Sequence, residues 1–515
     1  MPQTESTAAN NKRIAKNTIA LYIRMILLLL ISLYTSRVIL ESLGAEDFGI
    51  YNIVGGLVAF IGFFMSSLIN ASQRYINVGL GKNDEQLTRI YFRQSFTILF
   101  LVSLLVIIAS ETFGIWFVMN KLVIPESRHF AAFWVFQFSL ISIVCAIIQV
   151  NFLATIIAYE KMTMYAYFGL IEGFTKLGIA FILIYSSSDH LILFGALSAA
   201  NSIIILLFHV LYCKTKFNIC SLRFIWKKSL VLEMIKFISS NLFGCFAWSV
   251  GIQGTNIILN IFFGPIVNAA RGIALQISSI VNKFTDSVMT AVKPQIIKSY
   301  TRGDIEYMQL LIMKSSKLAF FISVLIAMPV LFETDYILKV WLNHFPDYTI
   351  EFSRLIIIET FAQVLITPLW MAANATGNIK RNQIYGRIFT LMSLPLSYIS
   401  LLLFNNPVIA MAMCTLMNYF YWCYCVYDIK KQINLNIRKY IKSVVFPSIT
   451  IISSLLIVGI CFNSLYRETG FIHFITTTFV LECFGLIVVF LLLTKGEKQI
   501  VNNAISKCLN KRLIR

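Results

Sequence analysis

Residues 42–56 read "SLGAEDFGIYNIVGG", a short polar turn between two apolar runs, and the chain repeats this plan 220 residues later. At that offset Gly44 falls on Gly264 in "FFGPIVNAARGIALQ" (262–276), and without a gap "LGKND", ending at Asp84, meets "YTRGD", ending at Asp304. A repeat that returns after six apolar segments keeps its second copy in the orientation of the first. The expected fold is therefore all-α: two parallel six-helix lobes about an axis along the membrane normal, around a central cavity.

Composition supports a membrane setting. The 515 residues are 58% hydrophobic and only 13% charged, with a mean hydropathy of +0.77, whereas soluble domains carry about 25% charged residues. Apolar segments of about 20 residues, enough to cross a hydrocarbon core of ~30 Å, recur to the end of the chain and predict about fourteen spans. The expected organisation is a tail over 1–16, six spans over 17–213, a basic linker over 214–232, six spans over 233–427, two additional spans over 428–494 and a basic tail over 495–515. The opening "MPQTESTAANNKRIAKN" is polar, and no small-residue cleavage site follows the first apolar run. It reads as the start of a retained span and not as a signal peptide.

The formal charge of +19 sits mostly in alternate connections, such as those containing Lys82 and Arg89, Lys227 and Lys228, and Lys430 and Lys431. The positive-inside rule accounts for this pattern without nucleic acid as a partner, and it places both termini in the cytoplasm. One connection, "NKLVIPESRH", departs from the alternation because Lys121 and Arg128 outnumber Glu126. Most of the ten cysteines lie inside apolar runs and read as small packing residues; Cys423 and Cys425 are close but lack zinc-site spacing. No nucleotide-binding phosphate loop, His-Glu-x-x-His or Gly-x-Ser-x-Gly is present, so neither ATP-driven transport nor an enzyme is expected, and no cofactor or metal is assigned.

The informative residues are ionisable or amide side chains inside spans. Arg24 and Arg37 bracket "RMILLLLISLYTSR" on the first span, Glu172 and Lys176 lie on the fifth, and Arg271, Lys283 and Asp286 lie along the eighth. Gln253, Asn256 and Asn260 share one face of the seventh at spacings of three and four. Each charge has a bland reading, as a snorkelling arginine or a neutralised i,i+4 pair. A lipid-facing cation near mid-span is costly, however, and the excess on the first and eighth spans is positive, which points to a water-filled cavity that binds an anion. Guanidinium groups suit a phosphate or pyrophosphate. Arg24 and Arg37 are about 20 Å apart along a straight helix, so one diphosphate meets them only in succession.

The stretch "YTSRVILESLGAEDFGIYNIVGG" followed by "ASQRYINVGLGKND" resembles the start of bacterial Wzx-type polysaccharide flippases of the multidrug/oligosaccharidyl-lipid/polysaccharide exporter superfamily. The resemblance runs along essentially the whole chain. It implies a multi-pass protein of the bacterial inner membrane that moves an undecaprenyl-diphosphate-linked oligosaccharide, an O-antigen, capsule or exopolysaccharide repeat unit, between leaflets by alternating access. Membrane lipids and other polysaccharide-assembly proteins are the further partners it implies. It also implies diphosphate contacts from arginines on the first and eighth spans, which fall here on Arg24 or Arg37 and on Arg271, with Lys283 raising the local potential. Asp286 and Glu172 are candidates for coupling to a proton or sodium gradient, and Gln253, Asn256 and Asn260 for hydrogen bonds to sugar hydroxyls. A cation-coupled multidrug antiporter of the same superfamily would need a more acidic site. A membrane-embedded glycan polymerase or ligase would need longer external loops.

Overall fold

The computed structural model describes residues 2–61, 65–159, 161–378, 381–466, 470–494 and 496–499, with the backbone alone for residues 2–26 and for scattered positions further along, such as 236–238 and 240–243. Among these residues every regular element is helical. In chain order they are α1 (Pro2–Ile61), α2 (Met65–Gly81), α3 (Glu85–Ala109), α4 (Ile115–Asn120), α5 (His129–Ala158), α6 (Met162–Tyr185), α7 (His190–Lys216), α8 (Lys228–Phe263) and α9 (Pro265–Thr301). There follow α10 (Ile305–Phe332), α11 (Thr334–Leu342), α12 (Thr349–Thr376), α13 (Arg387–Phe404), α14 (Pro407–Ile433), α15 (Ile437–Tyr440), α16 (Phe446–Leu465) and α17 (Phe471–Leu492). Twelve of the described stretches are long and apolar enough to cross a membrane. The difference from about fourteen lies in the second span, where α2 is only 17 residues long and carries Gln73 and Arg74, and in the eighth, where Arg271, Lys283 and Asp286 lower the apolarity.

The offset of 220 recurs in the backbone. Gly44 breaks α1 with φ 76° and ψ 170°, and Gly264 separates α8 from α9 with φ 74° and ψ −168°. This region is essentially closed to residues with a Cβ. Further along, Asn83 (φ 51°) and Gly303 (φ 76°) each precede an aspartate cap. Asp84 accepts from Leu87 N at 2.8 Å to start α3, and Asp304 accepts from Tyr307 N at 3.0 Å to start α10. Each carboxylate satisfies a backbone donor that the first helical turn would otherwise leave unpaired.

The chain forms two compact units: residues 1–273 with 341–349 and 390–414, and residues 274–340 with 350–389 and 415–515. In the first, Phe92, Phe136 and Phe152 are fully buried among α2, α3, α5 and α7. The expected basic linker is bound to α3 along its backbone. Phe217, Ile219 and Cys220 are buried, Ile225 N donates to Thr97 Oγ1 at 3.1 Å, and Lys227 N donates to Gln94 Oε1 at 2.8 Å. Arg223, Lys227 and Lys228 remain exposed.

The exceptional connection also has a physical account. Arg128 forms ion pairs with Asp47, just after the Gly44 break, and with Asp189, the cap of α7. Its charge is thus balanced by two other connections. Burial alone would raise the Asp189 carboxyl, but Arg128 and the backbone N–H groups of Ile192 and Leu191 hold it below its ordinary value. His190 Nδ1 bonds Ser42 O at 2.8 Å beside them. Lys121 lies over the Trp116 ring, 5.5 Å from its centroid.

In the second unit, α16 and α17 pack on α10 through small residues, as membrane helices do when backbones approach closely. Gly459 faces Phe332 and Gly485 faces Leu325 so tightly that a Cβ at either would clash. At one end of this packing, buried His473 and Glu333 pair at 3.1 Å. Elsewhere buried Lys317 pairs with Glu497, just beyond α17.

Candidate functional site

The break at Gly264 sets the start of α9 beside the end of α8, and three of the polar residues expected from sequence meet there. Arg271, 5% exposed, donates through Nη1 to Ile252 O at 3.1 Å and to Asn256 Oδ1. Asn256 Nδ2 in turn donates to Gln253 Oε1 at 2.8 Å. The carbonyl and the amide orient the guanidinium, and neither carries charge. Such an arrangement fixes a planar, multiply donating cation inside the helical packing of the first unit, the chemistry that recognises an oxyanion.

The second arm of α1 closes against this group without bulk. A Cβ on Gly56 would lie 2.7 Å from Gln253 Oε1, and one on Gly272 would lie 3.1 Å from Asn52 Nδ2. Gly49 meets the Pro265 carbonyl more tightly still, leaving no space for a side chain. Both copies of the repeat therefore contribute to the first unit near their glycine breaks, and Trp341 Nε1 adds a hydrogen bond to Leu33 O at 2.7 Å.

The other expected residues lie elsewhere. Asn260, one turn beyond Asn256 and fully buried, binds Val123: its Oδ1 accepts from Val123 N at 2.9 Å and its Nδ2 donates to Val123 O at 3.3 Å. This fixes the connection after α4. Arg37 pairs with Glu41 at 3.0 Å, and both are partly exposed. The side chain of Arg24 lies outside the described residues. Lys283 is half-buried and Asp286 exposed, both on the part of α9 in the second unit. Glu172 pairs with Lys176 at 2.7 Å one turn along α6.

Several polar residues escape the sequence reading. Asn268, one turn before Arg271, is 2% exposed, and neither of its amide atoms finds a hydrogen-bond partner among the described residues. In the second unit Glu359, within α12, accepts from Asn418 Nδ2 at 2.8 Å, and the adjacent Thr360 shares a 2.7 Å hydrogen bond with Ser278. Asp428, fully buried on α14, pairs with Arg381 at 3.1 Å. Glu359 lies inside the apolar run "RLIIIETFAQVLI", where an isolated carboxylate was the available signal.

No family model matches the sequence, and no curated protein matches it. Solved structures do. The lipid II flippase MurJ in an inward closed conformation aligns with 97% of this chain and all of its own at a TM-score of 0.70 and 13% identity. An inward-facing MATE-family multidrug resistance transporter of the MOP superfamily aligns over 81% of this chain and 98% of its own, with a TM-score of 0.67 and 12% identity. A MOP superfamily transporter from Pyrococcus furiosus, described as having a binding pocket of reversed polarity, aligns over 81% and 96% at 0.59 and 11%. The chain thus has the fold of these transporters.

Proposed function

We propose that this protein is a Wzx-type flippase that moves an undecaprenyl-diphosphate-linked oligosaccharide across a bacterial inner membrane, with both termini in the cytoplasm. The observation that carries this reading is the Arg271 guanidinium, buried on α9 and oriented by Ile252 O and Asn256. An anionic carrier headgroup is the cargo such a group suits, and the MurJ likeness supplies a lipid-linked precedent. In this scheme Arg271 grips the diphosphate, Gln253 and Asn256 orient the grip, and Lys283 raises the potential along α9. Asp286 is the candidate for ion coupling, because Glu172 is already committed to Lys176. Arg24 and Arg37 serve the headgroup earlier or later in its passage.

A second reading, cation-coupled drug antiport, draws on Glu359, an acceptor carboxylate within α12, and on the MATE likeness. One experiment separates them. Proteoliposomes are loaded with a fluorescent undecaprenyl-diphosphate oligosaccharide, and its arrival in the opposite leaflet is followed by a membrane-impermeant quencher, with ethidium efflux measured in parallel. The flippase reading expects glycolipid movement that Arg271→Gln abolishes. Ethidium efflux without glycolipid movement would establish the antiporter instead.

A further inference from the structure

The first unit contains a partly open cavity of about 360 Å³ among α1, α5, α6 and α7, whose lining does not include Arg271. Its volume lies at the lower end of the range for small-ligand sites, about 300 to 1,000 Å³. At ~30 Å³ per molecule of liquid water it has room for about a dozen waters.

Two of the lining groups are buried polar atoms with an unmet requirement. Thr35 and Asn201 are 7% and 6% exposed, and Thr35 Oγ1 and Asn201 Oδ1 have no hydrogen-bond partner among the described residues. Leaving such atoms unpaired costs roughly 1–3 kcal/mol each, so a donor for Asn201 Oδ1 and a partner of either kind for the Thr35 hydroxyl are expected in the space they border. The lining Ser142 and Ser202 donate their hydroxyl protons back to Phe138 O and Ser198 O, each at 3.0 Å. Their lone pairs are thereby left as acceptors. With Gln149, Lys176 and Tyr51 also in the lining, the cavity offers acceptors and donors together and suits a ligand that carries both.

A metal ion fits poorly. Hard cations take six to eight oxygens at about 2.3–2.6 Å or less, a far smaller space. The lining carboxylate, Glu172, is already balanced by the Lys176 ammonium at 2.7 Å, so a further cation would leave net positive charge in the membrane region. A neutral polyhydroxyl ligand has no such cost. The lining also includes Tyr51 and Phe194, whose ring centroids lie 4.6 Å apart. Aromatic rings offer an apolar face beside polar handles, matching the apolar C–H face of a pyranose ring edged with hydroxyls.

We infer that this cavity is a carbohydrate subsite, which takes a neutral sugar residue of the cargo through Thr35, Asn201 and the serine hydroxyls, with Tyr51 and Phe194 against its apolar face. The inference rests on the reading of the cargo as a glycan. It assigns sugar recognition to the first repeat copy and carrier recognition to Arg271.

The test uses the full chain in nanodiscs with methyl glycosides of glucose and N-acetylglucosamine as probes, read by saturation-transfer-difference NMR. Binding of undecaprenyl diphosphate is measured separately. Glycoside signal in the unmodified protein should fall about fivefold or more in Asn201→Leu and in the gentler Thr35→Val, with carrier binding unchanged. No glycoside signal in the unmodified protein, or a signal undiminished in both variants, overturns the subsite. A signal that appears only with sodium overturns it in favour of a cation site. Surface glycan in cells carrying Thr35→Val should also fall; normal export despite lost glycoside binding overturns the assignment to cargo. Absent carrier binding in the unmodified protein would defeat the flippase reading by itself, whatever the glycosides do.

Discussion

Arg128 holds Asp47 by a two-pronged contact, Nε to Oδ1 at 2.8 Å and Nη2 to Oδ2, across 81 residues of sequence. With Asp189 at 2.6 Å from Nη1 it ties three connections of the first unit together. Arg128→Ala would leave two carboxylates facing each other and should cost about 1.5–3 kcal/mol, the worth of hydrogen bonds to charged groups. Arg128→Lys should recover only part, because an ammonium lacks the fork. Thermal unfolding in detergent checks both.

The same contact sets a pH dependence. The folded-state value of Asp189 is depressed, so the unfolded chain binds more protons over that interval. Its stabilisation is complete above the ordinary aspartate value of about 3.9 and is lost as pH falls through the lower folded value. Between pH 5 and 3 the unmodified protein should lose stability more steeply than Arg128→Ala. Parallel slopes in an acid titration of melting temperature would count against the Asp189 pairing.

At Arg271 the distinction is between a fork and a point charge. If Arg271 presents its guanidinium to a diphosphate, Arg271→Lys should weaken undecaprenyl diphosphate binding roughly 10- to 100-fold, the loss of one charge-assisted contact. Arg271→Gln should do at least as much damage. Equal affinity for the lysine variant and the unmodified protein, at equal membrane abundance, would reduce Arg271 to a source of potential.

Gly49 lies against the Pro265 carbonyl with no room for a Cβ. Gly49→Leu must therefore separate the second arm of α1 from the start of α9. In a background without native cysteines, labelling of Val267→Cys, a position 5% exposed, by an impermeant maleimide should rise severalfold when Gly49→Leu is added, and transport should fall. Unchanged labelling would mean that this approach does not limit access.

Lys317 and Glu497 test whether the segment after α17 belongs to the folded unit. Both are largely buried as a pair, so Glu497→Gln, which strands the ammonium, should cost roughly 3–5 kcal/mol. The double variant Lys317→Met with Glu497→Gln should regain most of that, since a buried pair removed whole is far less damaging than one cut in half. Melting temperatures of the two variants decide it.

The sequence made legible what is periodic or local. Apolar length located twelve of the expected spans, and the matched glycines and aspartates at an offset of 220 anticipated Gly44, Gly264, Asp84 and Asp304, whose roles depend on backbone within a few residues. The polar stripe on α8 likewise anticipated the bond between Gln253 and Asn256, three residues apart. Partners from distant segments remained hidden. Asn260 shares the stripe yet serves Val123, 137 residues away, and Glu359 meets Asn418 59 residues on. The pairs Lys317–Glu497 and Glu333–His473 likewise join elements that no periodicity connects. Position along a span can be read from a sequence; the neighbour across the gap depends on packing.

Tyr51 stands seven residues after Gly44, and Arg271 seven residues after Gly264. The repeat thus gives one structural address two chemical identities, a neutral ring in the first copy and a cation in the second. On the reading proposed here, the ring of the first copy borders the cavity that takes the sugar, and the cation of the second holds the carrier. Exchange of the first copy between relatives with different glycans should then carry cargo preference with it.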